Sequence, residues 1–365
     1  MLEVVLGPAE EAAARWQALQ PLDVTALDTG SFGLLPLLYE RLQDAAPGDP
    51  RLPRLFGTYR SIWYRNQLLL DRAAVLLPLL RQRAHVEPLL VGGTSALLRW
   101  YPRLGLRPVP QLELVVETEA AAAAVKVAGY AGWRPAQQGH AFTRLRDESG
   151  RVLLIHHGLP LSVAGPLRGE GLRLLRERAL ALSEVEGLPL VLDPGDELMF
   201  VCASGARTTA VPTCQWLIDA HHLLESGRLP AAAEVVDRAR RFHLVVSLRA
   251  TLAYLAELCG PDLSGELLRR LDEEQTSRRD RAAFRLAGVG GRRSVPVAQA
   301  LAVHLRATAE DPLYRVVTRL PRTLQESWGA RNLFEVSALS LRKTARLFGS
   351  EGQPAASVRN DSASS

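Results

Sequence analysis

The segments Pro88-Leu-Leu-Val-Gly-Gly-Thr-Ser-Ala-Leu97 and Gln111-Leu-Glu-Leu-Val-Val116 decide how this 365-residue chain folds. The first predicts an apolar strand, a turn of small residues and the start of a helix, and the second predicts another strand. Alternate residues of a strand point to one face, so Gln111 and Glu113 share a face. A glycine turn that opens a helix offers close backbone approach and free N–H groups to an anion. The pattern therefore predicts an anion-binding turn beside a strand that carries polar side chains.

Four residues of the turn are candidates for phosphate contact. Gly92 and Gly93 would let the backbone approach the phosphate, and Thr94 and Ser95 would add hydroxyl donors. The alternative is a tight turn that needs glycine for steric reasons alone, and the sequence does not separate the two interpretations.

Several further segments occur in a recognisable order: Leu34–Arg41, Tyr64–Asn66, Gly93–Leu97, Tyr101, Arg107, Leu112–Val116, Ala128–Tyr130, Leu154–His156, Asp193–Leu198 and Gln215–Asp219. In this order and spacing the chain resembles the uncharacterised nucleotidyltransferase family of bacterial proteins, a branch of the polymerase-β-like nucleotidyltransferase superfamily. The resemblance implies an α+β fold and transfer of NMP from an NTP with Mg²⁺. It also implies a nucleotide site at Gly92, Gly93, Thr94, Ser95 and Arg107, with Gln111 and Glu113 at the catalytic positions.

The acidic motif of the family is degenerate here. The family pattern Asp-x-Asp reads Gln111-Leu112-Glu113, and Leu154 stands where an acid is expected before His156. One carboxylate cannot organise two Mg²⁺ ions without other ligands. We therefore expect Glu113 to bind Mg²⁺ weakly or not at all when no nucleotide is present.

Three functions follow from these features. The first is a working nucleotidyltransferase, in which Glu113 and an acid such as Asp147 or Glu148 hold the metal. The second, which we favour, is a relative that binds a nucleotide or a similar small anion with weak or lost NMP transfer. The third is a catalytically dead scaffold that keeps the fold for a protein partner. A structure in which side chains fill the space at the glycine turn would favour this third function.

Other polar residues are more consistent with structural roles. His156 and His157 are adjacent in a strand and should face opposite sides, which suits no single metal site. His221 and His222 lie about 100° apart on a helix, so their spacing also suits no single metal site. We expect Asp219, one turn before His222, to be a helix-surface charge near the core.

Composition restricts the other function classes. The net charge is +5, and it is carried by arginine, since Lys126 and Lys343 are the two lysines. We interpret this charge as solvated helix faces rather than a nucleic-acid site, because no basic run is interleaved with aromatic residues. No apolar stretch is long enough to predict a membrane span, and the three cysteines form no metal or disulfide pattern. We expect a cytoplasmic protein.

Periodicity divides the chain into four parts. We predict an N-terminal helical segment at 1–85 with helices at 9–19, 34–45 and 57–84, and a small mixed-sheet nucleotidyltransferase-like core at 86–160. The sheet should contain the runs 89–91, 112–116 and 152–155. A C-terminal helical bundle follows at 161–348, with a disordered tail at 349–365.

Overall fold

A mixed β-sheet forms the centre of the fold. The computed structural model describes residues 1–19, 27–139, 141–163, 165, 167–182, 189–205, 214–288, 295–328 and 334–336. Within these residues the strands are β1 Leu89–Val91, β2 Gln111–Val116, β3 Arg134–Gln138, β4 Phe142–Arg146, β5 Val152–His157, β6 Leu180–Ala181 and β7 Leu190–Val191. They form one sheet in the order β3-β4-β5-β2-β1-β7-β6.

Helices precede, interrupt and follow the strands. In chain order they are α1 Leu2–Leu6, α2 Ala12–Ala18, α3 Thr29–Phe32, α4 Leu35–Ala45, α5 Leu52–Ala84, α6 Gly92–Trp100, α7 Ala121–Tyr130, α8 Arg168–Arg178, α9 Pro194–Gly205, α10 Gln215–Glu225, α11 Ala232–Arg241, α12 Val245–Cys259, α13 Gly265–Glu273, α14 Arg278–Ala287, α15 Val295–Ala307 and α16 Leu313–Trp328. Short 3₁₀ helices occupy Ala9–Glu11, Thr118–Ala120 and Pro261–Leu263. The predicted α+β class is confirmed. None of the helices in the described ranges is long and apolar enough to cross a bilayer.

The register of the three central strands fixes the two faces of the sheet. β2 runs parallel to β5 and antiparallel to β1. Glu113 lies opposite Leu154 on one side and Val91 on the other. The prediction that runs 89–91, 112–116 and 152–155 share one sheet is therefore confirmed.

One face of the sheet packs against α5 and α7. The alternate β2 residues Leu112, Leu114 and Val116 are fully buried there, together with Leu153 and Ile155 of β5. This alternation is typical of a strand with one buried face, and it directs Gln111 and Glu113 to the opposite side.

The opposite side of β1 and β2 contributes to a second core. Leu89, Val91 and Val115 pack there with apolar residues of α6 and of helices α9 to α13. A third core joins α1, α2 and α4 to the start of α5 around the fully buried Trp16. The C-terminal helices thus cover the side of the sheet that carries Glu113.

Some predicted boundaries were wrong. The helix predicted at 57–84 begins at Leu52, because Pro53 lies in its first turn, where its missing N–H would have no intrahelical partner. β6 and β7 lie beyond residue 160, and β7 pairs with β1 of the same sheet. The tail predicted at 349–365 lies outside the described residues.

Candidate functional site

The turn between β1 and α6 is the centre of the site predicted from the sequence. Gly92 opens α6 with φ of +67° and is exposed to solvent. This left-handed conformation favours glycine, which explains the residue at this position. Because the first N–H groups of a helix have no intrahelical partner, the exposed start of α6 can receive an anion.

The carboxylate of Glu113 lies directly over this turn. A Cβ added to Gly92 would come within 2.8 Å of Oε1 and 2.9 Å of Cδ of Glu113. On its other side, Glu113 Oε2 lies 3.4 Å from Nε2 of the buried His156. A quarter of the Glu113 side chain, 24%, remains exposed. The Glu113 carboxylate therefore lies at the N-terminal end of α6, where the helix dipole favours a negative charge.

The other two positions at which the resemblance predicted an acid carry no charge on this face. Gln111 is half-buried on the same face as Glu113, and Leu154, opposite Glu113 in β5, is 7% exposed. Arg144 lies opposite Leu154 in β4, and its buried Nε has no hydrogen-bond partner among the described residues. Leu154 has thus become part of the packed surface of the sheet.

The side chains at these three positions do not fit a pair of Mg²⁺ ions. Mg²⁺ requires near-octahedral oxygen ligation, and Glu113 supplies the only carboxylate of the three positions. Asp147 is buried in the β4–β5 turn, where Arg151 Nε donates to it at 2.8 Å and Arg72 of α5 lies 3.6 Å away. Glu148 is exposed in the same turn. Asp147, a suggested second metal ligand, is therefore paired with arginine side chains, and Glu148, the other suggested ligand, is exposed to solvent.

The hydroxyl groups of the turn bond to the protein interior. Thr94 Oγ1 donates to the carbonyl oxygen of Gln111 at 3.4 Å, and Ser95 Oγ donates to Glu197 Oε1 at 2.8 Å. Each residue is 1% exposed. Glu197 also accepts a bond from Trp100 Nε1 at 2.9 Å, and its burial raises its pKa against the opposing effect of Arg99. The prediction that these hydroxyls contact phosphate stays untested, and such contact would require them to change partners.

Arg107 belongs to a buried ion pair. Its Nε and Nη2 donate to Oδ1 and Oδ2 of Asp219 at 2.8 and 2.6 Å, while its guanidinium covers Gly93. Tyr101 Oη donates to Asp219 Oδ1 at 2.6 Å and accepts a bond from Gln215 Nε2 at 2.9 Å. Burial alone would lower the pKa of Arg107, but the charge and hydrogen bonds of Asp219 raise it above its ordinary value.

The interpretation of Asp219 as a helix-surface charge was wrong. It is 3% exposed and connects α10 to the segment between α6 and β2. The sequence did contain a signal for this network, since Tyr101, Arg107, Gln215 and Asp219 all lie in the segments that carried the family resemblance.

The two adjacent histidines of β5 have different surroundings. His156 is buried beside Glu113, whereas His157 is half-buried, with Nε2 lying 3.0 Å from Thr143 Oγ1. Their opposite directions agree with the expected strand alternation.

Comparison with known protein families gives a match over most of the described sheet and helices. A family model described as uncharacterised nucleotidyltransferase matches residues 31–260, which include the sheet, the Gly92 turn and Asp219. The match covers more than half of the 365 residues. The comparison with curated proteins gives no match.

Proposed function

We infer that this chain, which belongs to the uncharacterised nucleotidyltransferase family, binds a nucleotide at the Gly92 turn with weak or lost NMP transfer. The observation that carries the proposal is the exposed, left-handed Gly92 at the start of α6, which lets a phosphate approach the backbone there. Val91, the N-cap residue of α6, provides no side-chain cap, and the first N–H groups of a helix suit a phosphate. Two of the three acidic positions of the family pattern have lost the charge that NMP transfer requires.

Weak or lost transfer follows from the side chains at these positions. Transfer joins an acceptor oxygen to the α-phosphorus of the NTP and releases pyrophosphate, so negative charge must be stabilised on both sides of phosphorus. Gln111 is neutral and Leu154 is apolar and buried. Together with Glu113, they do not form a two-metal site for this charge.

Glu113 should compete with the phosphate for the turn. Two unit charges 4 Å apart repel by about 1 kcal/mol in water and about 4 kcal/mol near a protein surface. Because a quarter of the Glu113 side chain is exposed, we take the lower end of this range. Glu113→Gln should then strengthen nucleotide binding by roughly five- to tenfold, which corresponds to about 1–1.4 kcal/mol.

The experiment measures the binding of ATP, GTP, CTP and UTP to the wild-type chain and to Glu113→Gln by calorimetry. Glu119→Gln serves as the matched control, because Glu119 is exposed and lies outside the turn. Tighter binding in Glu113→Gln, with the control unchanged, supports the proposal. Weaker, Mg²⁺-dependent binding in Glu113→Gln would instead identify Glu113 as a metal ligand and revive the working-enzyme hypothesis.

A scaffold for a protein partner is the second candidate, and a specific observation favours it. Side chains of Glu113 and Arg107 fill the space over Gly92 and Gly93, and the hydroxyls of Thr94 and Ser95 already have partners. If neither the wild-type chain nor Glu113→Gln binds any of the four nucleotides, the scaffold becomes the better account.

A further inference from the structure

A cavity lies away from the Gly92 turn. Its volume is about 660 Å³, and it is lined by the end of α1, by α4, by the end of α10 and by the segment after α12. His221, His222 and Glu225 of α10 line it together with the acidic residues Glu40 and Asp262. None of the turn residues Gly92 to Ser95 lines this cavity.

The helix brings three potential metal ligands to one point. Glu225 lies four residues after His221 and three after His222, so it shares a face with each of them. Its Oε2 lies 3.2 Å from Nδ1 of His221 and 3.8 Å from Nδ1 of His222. The ligand atoms of all three residues lie within 4.8 Å of one another.

We propose that His221, His222 and Glu225 bind a divalent transition-metal ion such as Zn²⁺ at the wall of this cavity. Zinc binds imidazole nitrogen and carboxylate oxygen at about 2.0–2.2 Å, so tetrahedral ligands are separated by roughly 3.4 Å. The two nitrogen–oxygen distances lie on either side of this value. Two histidines and one glutamate leave a fourth position, which faces the cavity and can take water or an anionic group.

Unsatisfied imidazole nitrogens are the second observation. Nδ1 of His221 and Nε2 of His222 are buried and have no hydrogen-bond partner among the described residues. His221 is 8% exposed, and its Nδ1 lies close to Glu225 without the geometry of a hydrogen bond. Buried polar atoms normally have partners, and a metal ion at this point would supply one to His221.

The charge around the cavity also favours a cation. Glu40, Asp262 and Glu225 line the cavity together with Arg41; because Glu40 is ion-paired with Arg103, Asp262 and Glu225 remain against the one guanidinium of Arg41. Arg41 Nη2 donates to the carbonyl oxygen of Gly7, which holds this end of the guanidinium at the chain's N-terminal segment. The helical spacing of 100° between the two histidines argued against a shared metal, but Glu225 one turn later supplies the ligand that joins them.

The test is a titration of the full-length chain, first freed of metal with a chelator, with Zn²⁺ by calorimetry and with Co²⁺ by visible absorption. We expect one ion per chain and a tetrahedral Co²⁺ spectrum. Glu225→Gln and His222→Gln should each weaken binding by at least about tenfold, since even outer partners of metal ligands contribute 10–100-fold. Glu225 is 53% exposed, so its substitution should leave the fold intact, as circular dichroism can verify.

Two controls locate the ion. His85→Asn removes an exposed histidine with φ of +53°, a conformation that asparagine tolerates, and it should leave binding unchanged. Glu113→Gln removes the carboxylate beside His156 and should also leave binding unchanged. Loss of Zn²⁺ in Glu113→Gln with retention in Glu225→Gln would overturn the proposal. Unchanged Zn²⁺ affinity in both Glu225→Gln and His222→Gln would also overturn it. A wild-type chain that binds inorganic phosphate but no Zn²⁺ would overturn it as well.

Discussion

Replacing Asp219 by asparagine tests whether Arg107 is chiefly a structural residue. The substitution keeps the size of the side chain but removes the charge that faces the guanidinium. Arg107 is 7% exposed and Asp219 is 3% exposed, and two hydrogen bonds of 2.8 and 2.6 Å join them. Leaving one member of such a pair buried without its counter-charge costs about 3–5 kcal/mol. Because asparagine can still accept a bond from Tyr101, we expect a loss of about 3 kcal/mol, at the lower end of that range.

The assay is urea unfolding of Asp219→Asn followed by tryptophan fluorescence and circular dichroism. Asp237→Asn is the matched control, since Asp237 is 36% exposed and pairs with Arg240 and Arg241 on the surface of α11. Surface pairs of this kind contribute about 0–1 kcal/mol. A double variant with Arg107→Met and Asp219→Leu should recover part of the lost stability, because no buried charge remains in the pair, while Tyr101 Oη loses its acceptor.

A loss below about 1 kcal/mol in Asp219→Asn, equal to that of the surface control, would refute this reasoning. It would mean that water or another anion reaches the guanidinium. Arg107 would then be available to a ligand, as the sequence predicted.

Four further substitutions should behave as follows. Gly92→Ala should lower the free energy of unfolding by at least about 1–2 kcal/mol, because alanine is strained at φ of +67° and its Cβ would come within 2.8 Å of Glu113 Oε1. Urea unfolding equal to that of the wild type would contradict this. In the same assay Gln111→Asp should lower the free energy of unfolding by less than about 1 kcal/mol, because this position is half-exposed. Leu154→Asp should lower it by roughly 3 kcal/mol or more, because the side chain is 7% exposed and the change removes apolar burial and desolvates a carboxylate. The hydrogen bond with Asp280, at 3.0 Å, raises the pKa of His243 above its ordinary value of 6.5. This pair should therefore stabilise the protein fully below pH 6.5 and lose its contribution as the pH rises through the folded pKa, and His243→Asn should remove this part of the pH dependence of unfolding.

The sheet was predictable because its strands carry a strong local signal. Leu112 and Leu114 alternate with the polar residues Gln111 and Glu113, and the apolar runs of β1 and β5 are bounded by turn residues. β3 reads Arg-Pro-Ala-Gln-Gln and is exposed along its length, so no burial pattern marked it. β6 and β7 have two residues each; β7 pairs with β1 and β6 pairs with β7, so both depend on long-range pairing rather than on their own sequence.

The residues of the turn could be predicted, but their partners could not. Sequence spacing located Gly92 and Glu113, and strand geometry placed Glu113 on the correct face. The bonds from Ser95 to Glu197 and from Arg107 to Asp219 join residues 102 and 112 positions apart. Such contacts depend on how α9 and α10 pack against the sheet, which no local pattern encodes.

The most direct test of the proposed function measures pyrophosphate release and nucleotide binding on one sample of the wild-type chain. The four NTPs are supplied in turn with Mg²⁺ or Mn²⁺, and the melting temperature is recorded beside the released pyrophosphate. We predict that at least one NTP raises the melting temperature, since a ligand at about 100 times its Kd adds about 2.7 kcal/mol, while pyrophosphate stays at the level of the protein-free control. Pyrophosphate release that Glu113→Gln abolishes would contradict the account, because the carboxylate at the turn would then support NMP transfer.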